Sequence, residues 1–212
     1  MRLVSAAVLI PPVIAAVYFG TPYFEGFVLI CALVLIGELY VVAKRQWAWT
    51  VAGGAYIAAA AYALIALRND TALGLETVIW LFVLVWCADT GAYLTGRAIG
   101  GPKFAPKLSP KKTWSGFAGA VFFAGLAGGV AGLILEKESV WPIFAISCAL
   151  GALSQYGDLL ESWVKRRFDK KDMSALIPGH GGLFDRADGL VAAAIGVWVA
   201  DIVTTETILL WL

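Results

Sequence analysis

Asp158, Ser162, Lys165, Asp169 and Asp172 recur at spacings of four, three, four and three. On an α-helix that pattern lies along one face. Asp158 and Ser162 offer oxygen atoms one turn apart, which suits a hard cation such as Mg2+. Lys165 and Arg166 follow, and cationic side chains there suit phosphate groups. The segment Pro178-Gly179-His180-Gly181-Gly182 then breaks the helix and turns the chain, ahead of Asp185, Arg186 and Asp188. Such a turn can return Asp185 towards Asp158, giving two carboxylates for one metal site. His180 is the single histidine and has no second histidine to support it as a metal ligand. Its role stays open between turn residue, phosphate donor and proton shuttle. Ion pairing one turn apart accounts for Asp169 to Lys171, which are set aside from the site.

A second polar group begins at Asp89-Thr90, after the apolar run IWLFVLVWCA, and continues through Gly100-Gly101-Pro102-Lys103 to Lys111-Lys112-Thr113. An aspartate so embedded has to be paired, protonated or bound to a cation. Glycines for close backbone approach, with Lys, Arg, Ser and Thr donors, meet the needs of a polyphosphate, although this is no Walker A loop. A basic loop attracted to anionic lipid headgroups explains the same residues.

The elements that must position these groups are membrane helices. The 212 residues are 60% hydrophobic and 15% charged, with a mean hydropathy of +0.81, which excludes an ordinary soluble domain. Seven segments approach the length that spans a bilayer: Leu3–Phe19, Phe24–Val42, Trp47–Leu67, Leu75–Thr95, Trp114–Leu135, Val140–Gly157 and Leu190–Trp211. The sixth has room to continue past Asp158. Pro11-Pro12 and the further apolar segments favour a retained first span over a cleaved leader.

With a cytoplasmic N-terminus, 14 of the 16 Lys and Arg fall on the inside, leaving only Arg68 and Lys137 outside. The expected architecture is therefore all-α and polytopic, N-in and C-out, with the active face at the cytoplasmic side. It forms one membrane domain over 1–212: scaffold spans in 1–70, a catalytic core in 75–189 and a last span in 190–212. Glu38 reads as a rim residue near the inner end of the second span. Cys31, Cys87 and Cys148 read as buried reduced thiols.

The residues resemble a known family. Ser162-x-x-Lys165-Arg166, Lys171-Asp172 and Pro178-Gly-His-Gly-Gly-x-x-Asp185-Arg186-x-Asp188 look like the signature of the CDP-diacylglycerol synthases, the phosphatidate cytidylyltransferases. Gly157-Asp158-Leu-x-Glu161-Ser162, Asp89-Thr90 and Ser109-Pro110-Lys111-Lys112-Thr113 also fit. The resemblance is strongest over Asp89–Asp188. It implies an enzyme that uses CTP and phosphatidic acid to make CDP-diacylglycerol and pyrophosphate with Mg2+, leaving a second cation open. By resemblance Asp158 and Asp185 are metal ligands, with Asp188 next and Ser162 beside them. Lys165, Arg166 and Arg186 hold phosphates, and Asp89, Lys111, Lys112 and Thr113 belong to the nucleotide side.

The resemblance also implies a homodimer in a bacterial inner membrane; no nucleic-acid partner is expected. Ser115 and Met173 depart from the family pattern, which often has Glu and Ser there, and the N-terminal half is short beside many bacterial members. The competing readings are a CTP-dependent polyprenol or phytol kinase, another CDP-lipid synthase, an ion-coupled transporter, and a non-catalytic relative.

Overall fold

The computed structural model of the chain describes the backbone of residues 2–177, 181–204 and 207–211, with side chains between 10 and 210. Eight helices occur among the described residues: α1 (Arg2–Phe19), α2 (Tyr23–Val42), α3 (Trp47–Arg68), α4 (Gly74–Ala98), α5 (Trp114–Ile134), α6 (Trp141–Arg167), α7 (Phe184–Thr204) and the short α8 (Ile208–Trp211). The helices α2 to α7 each have the length and apolar content to cross a bilayer. Only structures that satisfy their own backbone hydrogen bonds do so in lipid. The chain is thus an all-α polytopic membrane protein. Six of the seven expected segments are helices of this kind. The first, α1, has 18 residues, and its described apolar part, Ile10–Phe19, is shorter than a span.

Two features go beyond the expected segments. The sixth helix does not stop at Gly157 but runs unbroken to Arg167, so Asp158, Glu161, Ser162 and Lys165 stand on one rigid rod. The expected helical face does not reach Asp169 and Asp172, however. Asp169 takes a left-handed φ of 55°, its N–H donates to the Arg166 carbonyl, and the Lys170 N–H donates to the Lys165 carbonyl. That pattern closes a helix C-terminus, and Phe168, 4% exposed, turns into the core behind it.

The segment between α4 and α5 is a β-hairpin rather than an open loop. Strand β1 (Lys103–Ala105) pairs antiparallel with β2 (Ser109–Thr113), Lys103 opposite Thr113 and Ala105 opposite Ser109. Phe104 anchors it, stacked on Phe117 and edge-on to Trp114 with both ring centroids 4.7 Å away.

Small residues let the helices approach closely, as membrane helices without an aqueous hydrophobic drive require. A Cβ on Gly119 of α5 would collide with Thr95 of α4, and one on Gly128 with Ser147 of α6. A second, separate core lies under the α6–α7 connection. Leu35, Leu39 and Val42 of α2 and Ile57 and Ala60 of α3 pack there with Phe168, Met173, Phe184 and Val191. Met173 is 3% exposed, so an apolar side chain at this departure from the family pattern fills that core. Asp201, unexplained by sequence, accepts the N–H of Ile208 at 2.8 Å and so ties α7 to α8. Pro178, Gly179, His180 and Glu206 lie outside the described residues.

Candidate active site

Helices α6 and α7 touch where Gly157 faces the first turns of α7. A Cβ on Gly157 would stand 2.6 Å from the Asp188 carbonyl oxygen. That close contact brings Asp188 against the polar end of α6. One oxygen from each of Asp158, Glu161 and Asp188 then falls within 4.8 Å of the other two. Three carboxylates repel one another at this range unless cations are interposed.

Glu161 is 2% exposed. Its Oε2 lies 2.5 Å from Lys165 Nζ, while its Oε1 has no hydrogen-bond partner among the described residues. A buried oxygen left without a partner calls for an explanation, and a set of hard carboxylate oxygens fits a divalent cation such as Mg2+. These residues could therefore hold one.

The neighbouring cation comes from the hairpin. Lys111 and Lys112 of β2 both line the space beside these acids, and Lys112 is the more buried of the two. Lys111 is exposed, whereas Lys112 Nζ lies 2.7 Å from Asp158 Oδ2 and 3.1 Å from Gln155 Oε1. Gln155 Nε2 in turn donates to Asp89 Oδ1 at 3.1 Å, which supplies the embedded aspartate with a polar partner. Ser162 donates to Asp158 Oδ1 at 3.3 Å. Asp89, Gln155, Lys112, Asp158 and Ser162 thus form one continuous polar chain across α4, β2 and α6.

Asp185, expected beside Asp158 as a metal ligand, engages other partners. Its Oδ1 lies 2.6 Å from Lys165 Nζ, and its Oδ2 accepts the N–H groups of Met173 at 2.9 Å and Gly182 at 2.8 Å. In this arrangement the acids grouped with Asp158 are Glu161 and Asp188. Lys165, expected on phosphate, bridges Glu161 and Asp185.

Arg166 donates to the carbonyls of Leu108 and Lys170, joining the hairpin turn to the end of α6. Thr113 caps α5 by accepting the Gly116 N–H at 3.1 Å. Ser115, the other departure from the family pattern, donates to the Gly100 carbonyl and fastens the preceding loop. Gln155 and Glu161 were missed as site residues, although each lies three positions from Asp158 and so shares its helical face.

Part of this polar group opens into a cavity of 1440 Å³. Asp89, Lys111, Lys112, Thr113, Asp158, Asp185, Arg186 and Asp188 line its polar end. Phe24, Val28, Leu64, Phe82 and Trp86 line an apolar remainder that runs between α2, α3 and α4. Ser162, Lys165 and Arg166 do not line it. The volume exceeds the roughly 300–1,000 Å³ of ordinary small-molecule pockets.

Known proteins are similar to this chain in sequence. Residues 41–203 match the cytidylyltransferase family. A phosphatidate cytidylyltransferase of Brucella suis biovar 1 is 42% identical over 176 residues, 83% of this chain and 64% of the relative. One from Rickettsia bellii is 33% identical over 204 residues, 92% of this chain and 87% of the relative. One from Haemophilus influenzae is 42% identical over 130 residues, 59% of this chain and 45% of the relative. The chain thus spans just under two thirds of the Brucella protein's length. The matched region contains the α4 aspartate, the hairpin lysines, the α6 acids and Asp188, so with most of its length and its whole polar chain inside the match, this protein belongs to the cytidylyltransferase family.

Proposed function

We propose that the protein transfers a cytidylyl group from CTP to phosphatidic acid, giving CDP-diacylglycerol and pyrophosphate. The observation that carries this reading is that Asp158 and Asp188 line the polar end of a cavity whose remaining walls are apolar, with buried Glu161 grouped with them. A diacyl lipid needs apolar walls for its chains. Its headgroup phosphate and a nucleotide triphosphate need a cationic, metal-binding end. Both requirements meet here in one space.

In this reading Asp158, Glu161 and Asp188 hold Mg2+. When bound, the ion supplies charge neutralisation at the triphosphate and at the departing pyrophosphate. Lys112 and Arg186 face the same space and bind phosphate oxygens. Asp89, held by Gln155, lies on the nucleotide side with Lys111. Lys165 keeps Glu161 and Asp185 in place from behind. A phosphatidate oxygen attacks the α-phosphorus of CTP, the bond between that phosphorus and the bridging oxygen to the β-phosphate breaks, and pyrophosphate leaves. The phosphate monoester is already ionised at neutral pH, so no protein base is required. Positioning and electrostatics supply the rate enhancement. In this reading the polar end faces the cytoplasm of a bacterial inner membrane, which the bias of the basic residues towards one side supports as an N-in, C-out orientation.

The test is product analysis with purified protein, labelled CTP and phosphatidic acid, with and without Mg2+. Metal-dependent CDP-diacylglycerol and pyrophosphate are expected. CDP with a phosphorylated alcohol, formed only when polyprenol or phytol is supplied, would replace this reading with a kinase.

A further inference from the structure

We infer that Glu38, far from the reacting groups in sequence and on a different helix, is a positioning residue that sets the α6–α7 connection and through it Asp185 and Asp188. Glu38 sits in the last turns of α2 and is 7% exposed. Its Oε1 accepts the Ser174 hydroxyl at 2.6 Å and the Leu183 N–H at 2.9 Å. Its Oε2 accepts the Phe184 N–H at 2.8 Å.

Leu183 and Phe184 stand at the start of α7, where the first amides have no partner inside the helix, and a carboxylate there also meets the positive end of the helix dipole. The preceding N–H group goes elsewhere: Gly182 donates to Asp185 Oδ2 at 2.8 Å. Two carboxylates, one from α2 and one from α7 itself, therefore take three successive amides. A Cβ on Gly182 would fall 2.7 and 2.9 Å from the two Glu38 oxygens, so the backbone passes directly over the carboxylate.

The consequence is mechanical. The start of α7 is pinned to α2 rather than left to the connection that precedes it, and the register of α7 decides where Asp188 meets Asp158 and Glu161. Glutamine at position 38 turns one acceptor into a donor facing a backbone N–H or the Ser174 hydroxyl. Aspartate keeps both acceptors but draws them back by one methylene.

The experiment compares wild type, Glu38→Gln, Glu38→Asp and Ser174→Ala by hydrogen exchange of the amides of residues 173–177 and 181–188. It also measures kcat, KM for CTP and the Mg2+ concentration for half-maximal rate. Glu38→Gln should expose the Leu183 and Phe184 amides, lower kcat by about 10- to 100-fold and raise the Mg2+ requirement. Glu38→Asp should recover part of each effect, and Ser174→Ala, which removes one donor only, should show the mildest.

A contact that merely stabilises the fold would lower yield and unfolding midpoint while leaving exchange at 183–184, KM and the Mg2+ requirement of the folded protein unchanged; that result overturns the inference. If Glu38→Gln fails to fold, Glu38→Asp and Ser174→Ala decide it by the same readouts. The kinetic arm rests on the cytidylyltransferase reading and the exchange arm does not. Absence of wild-type turnover with lost protection at 183–184 therefore sinks that reading and keeps the clamp.

Discussion

Lys165 Nζ lies 2.6 Å from Asp185 Oδ1, joining the polar end of α6 to the first turn of α7. The same ammonium is 2.5 Å from Glu161. One cation therefore holds two carboxylates whose side chains are 8% and 1% exposed. Removing it leaves both acids buried without a counterion. Lys165→Met is expected to destabilise the protein by about 3–5 kcal/mol, measured by unfolding in detergent. Adding Glu161→Gln and Asp185→Asn to that variant should restore part of the loss, because the orphaned charges go with the lysine.

Asp158→Asn and Asp188→Asn are expected to reduce turnover by about 100-fold or more without unfolding the protein. Wild type should gain thermal stability from added Mg2+, and either variant should lose that gain. Near-normal activity, or an undiminished Mg2+ shift, would remove the residue from the cation site.

Gly157→Ala places a methyl group 2.6 Å from the Asp188 carbonyl, so α7 has to move. The expected cost is about 1–3 kcal/mol, together with a fall in kcat, since Asp188 rides on the displaced turn. A variant with wild-type kinetics would show that the α6–α7 spacing does not govern the site.

Asp70, in the turn before α4, accepts the N–H groups of Ala72 at 3.0 Å and Leu73 at 2.9 Å. Partial burial raises its pKa, but the bonds from Leu73, the Thr207 hydroxyl and Ala72 outweigh it and hold the carboxyl below its ordinary value. A carboxyl depressed in the folded state contributes stability above its unfolded pKa and loses it as pH falls through the folded one. Asp70→Ala should therefore lower the unfolding midpoint at neutral pH and match wild type at strongly acidic pH. A constant difference across the pH range would count against the ionised turn.

A single cysteine at Pro102, in a background lacking Cys31, Cys87 and Cys148, should react with an impermeant thiol reagent only from the cytoplasmic side. Labelling from outside would invert the orientation.

The membrane helices were legible in the sequence because each is decided locally. A stretch of apolar residues about 20 long in lipid has one way to satisfy its backbone, so the span positions follow from α2 to α7 without reference to neighbours. The polar residues of the site were legible as types for a related reason: acids such as Asp158 and Asp188 at the end of a span are costly and stand out. Which acid meets which was not legible. Asp185 and Asp188 are three residues apart, and by sequence Asp185 is the expected partner of Asp158, with Asp188 next. In the tertiary structure Gly157, whose missing side chain sets the approach of α7, brings Asp188 beside Asp158, and Lys165 pairs with Asp185.

Glu38 shows the same limit most clearly. Along the chain it is one acid near the inner end of a span, and a rim role accounts for it. Its three hydrogen-bond partners come from residues 136 to 146 positions away. Hydrophobic length is written in consecutive residues, whereas hydrogen-bond partnership depends on how far apart the helices come to rest. The amino-acid sequence by itself determined that this is a helical membrane protein with an acidic and basic site at one end, and the packing of α2, α6 and α7 determined which of those charges face one another.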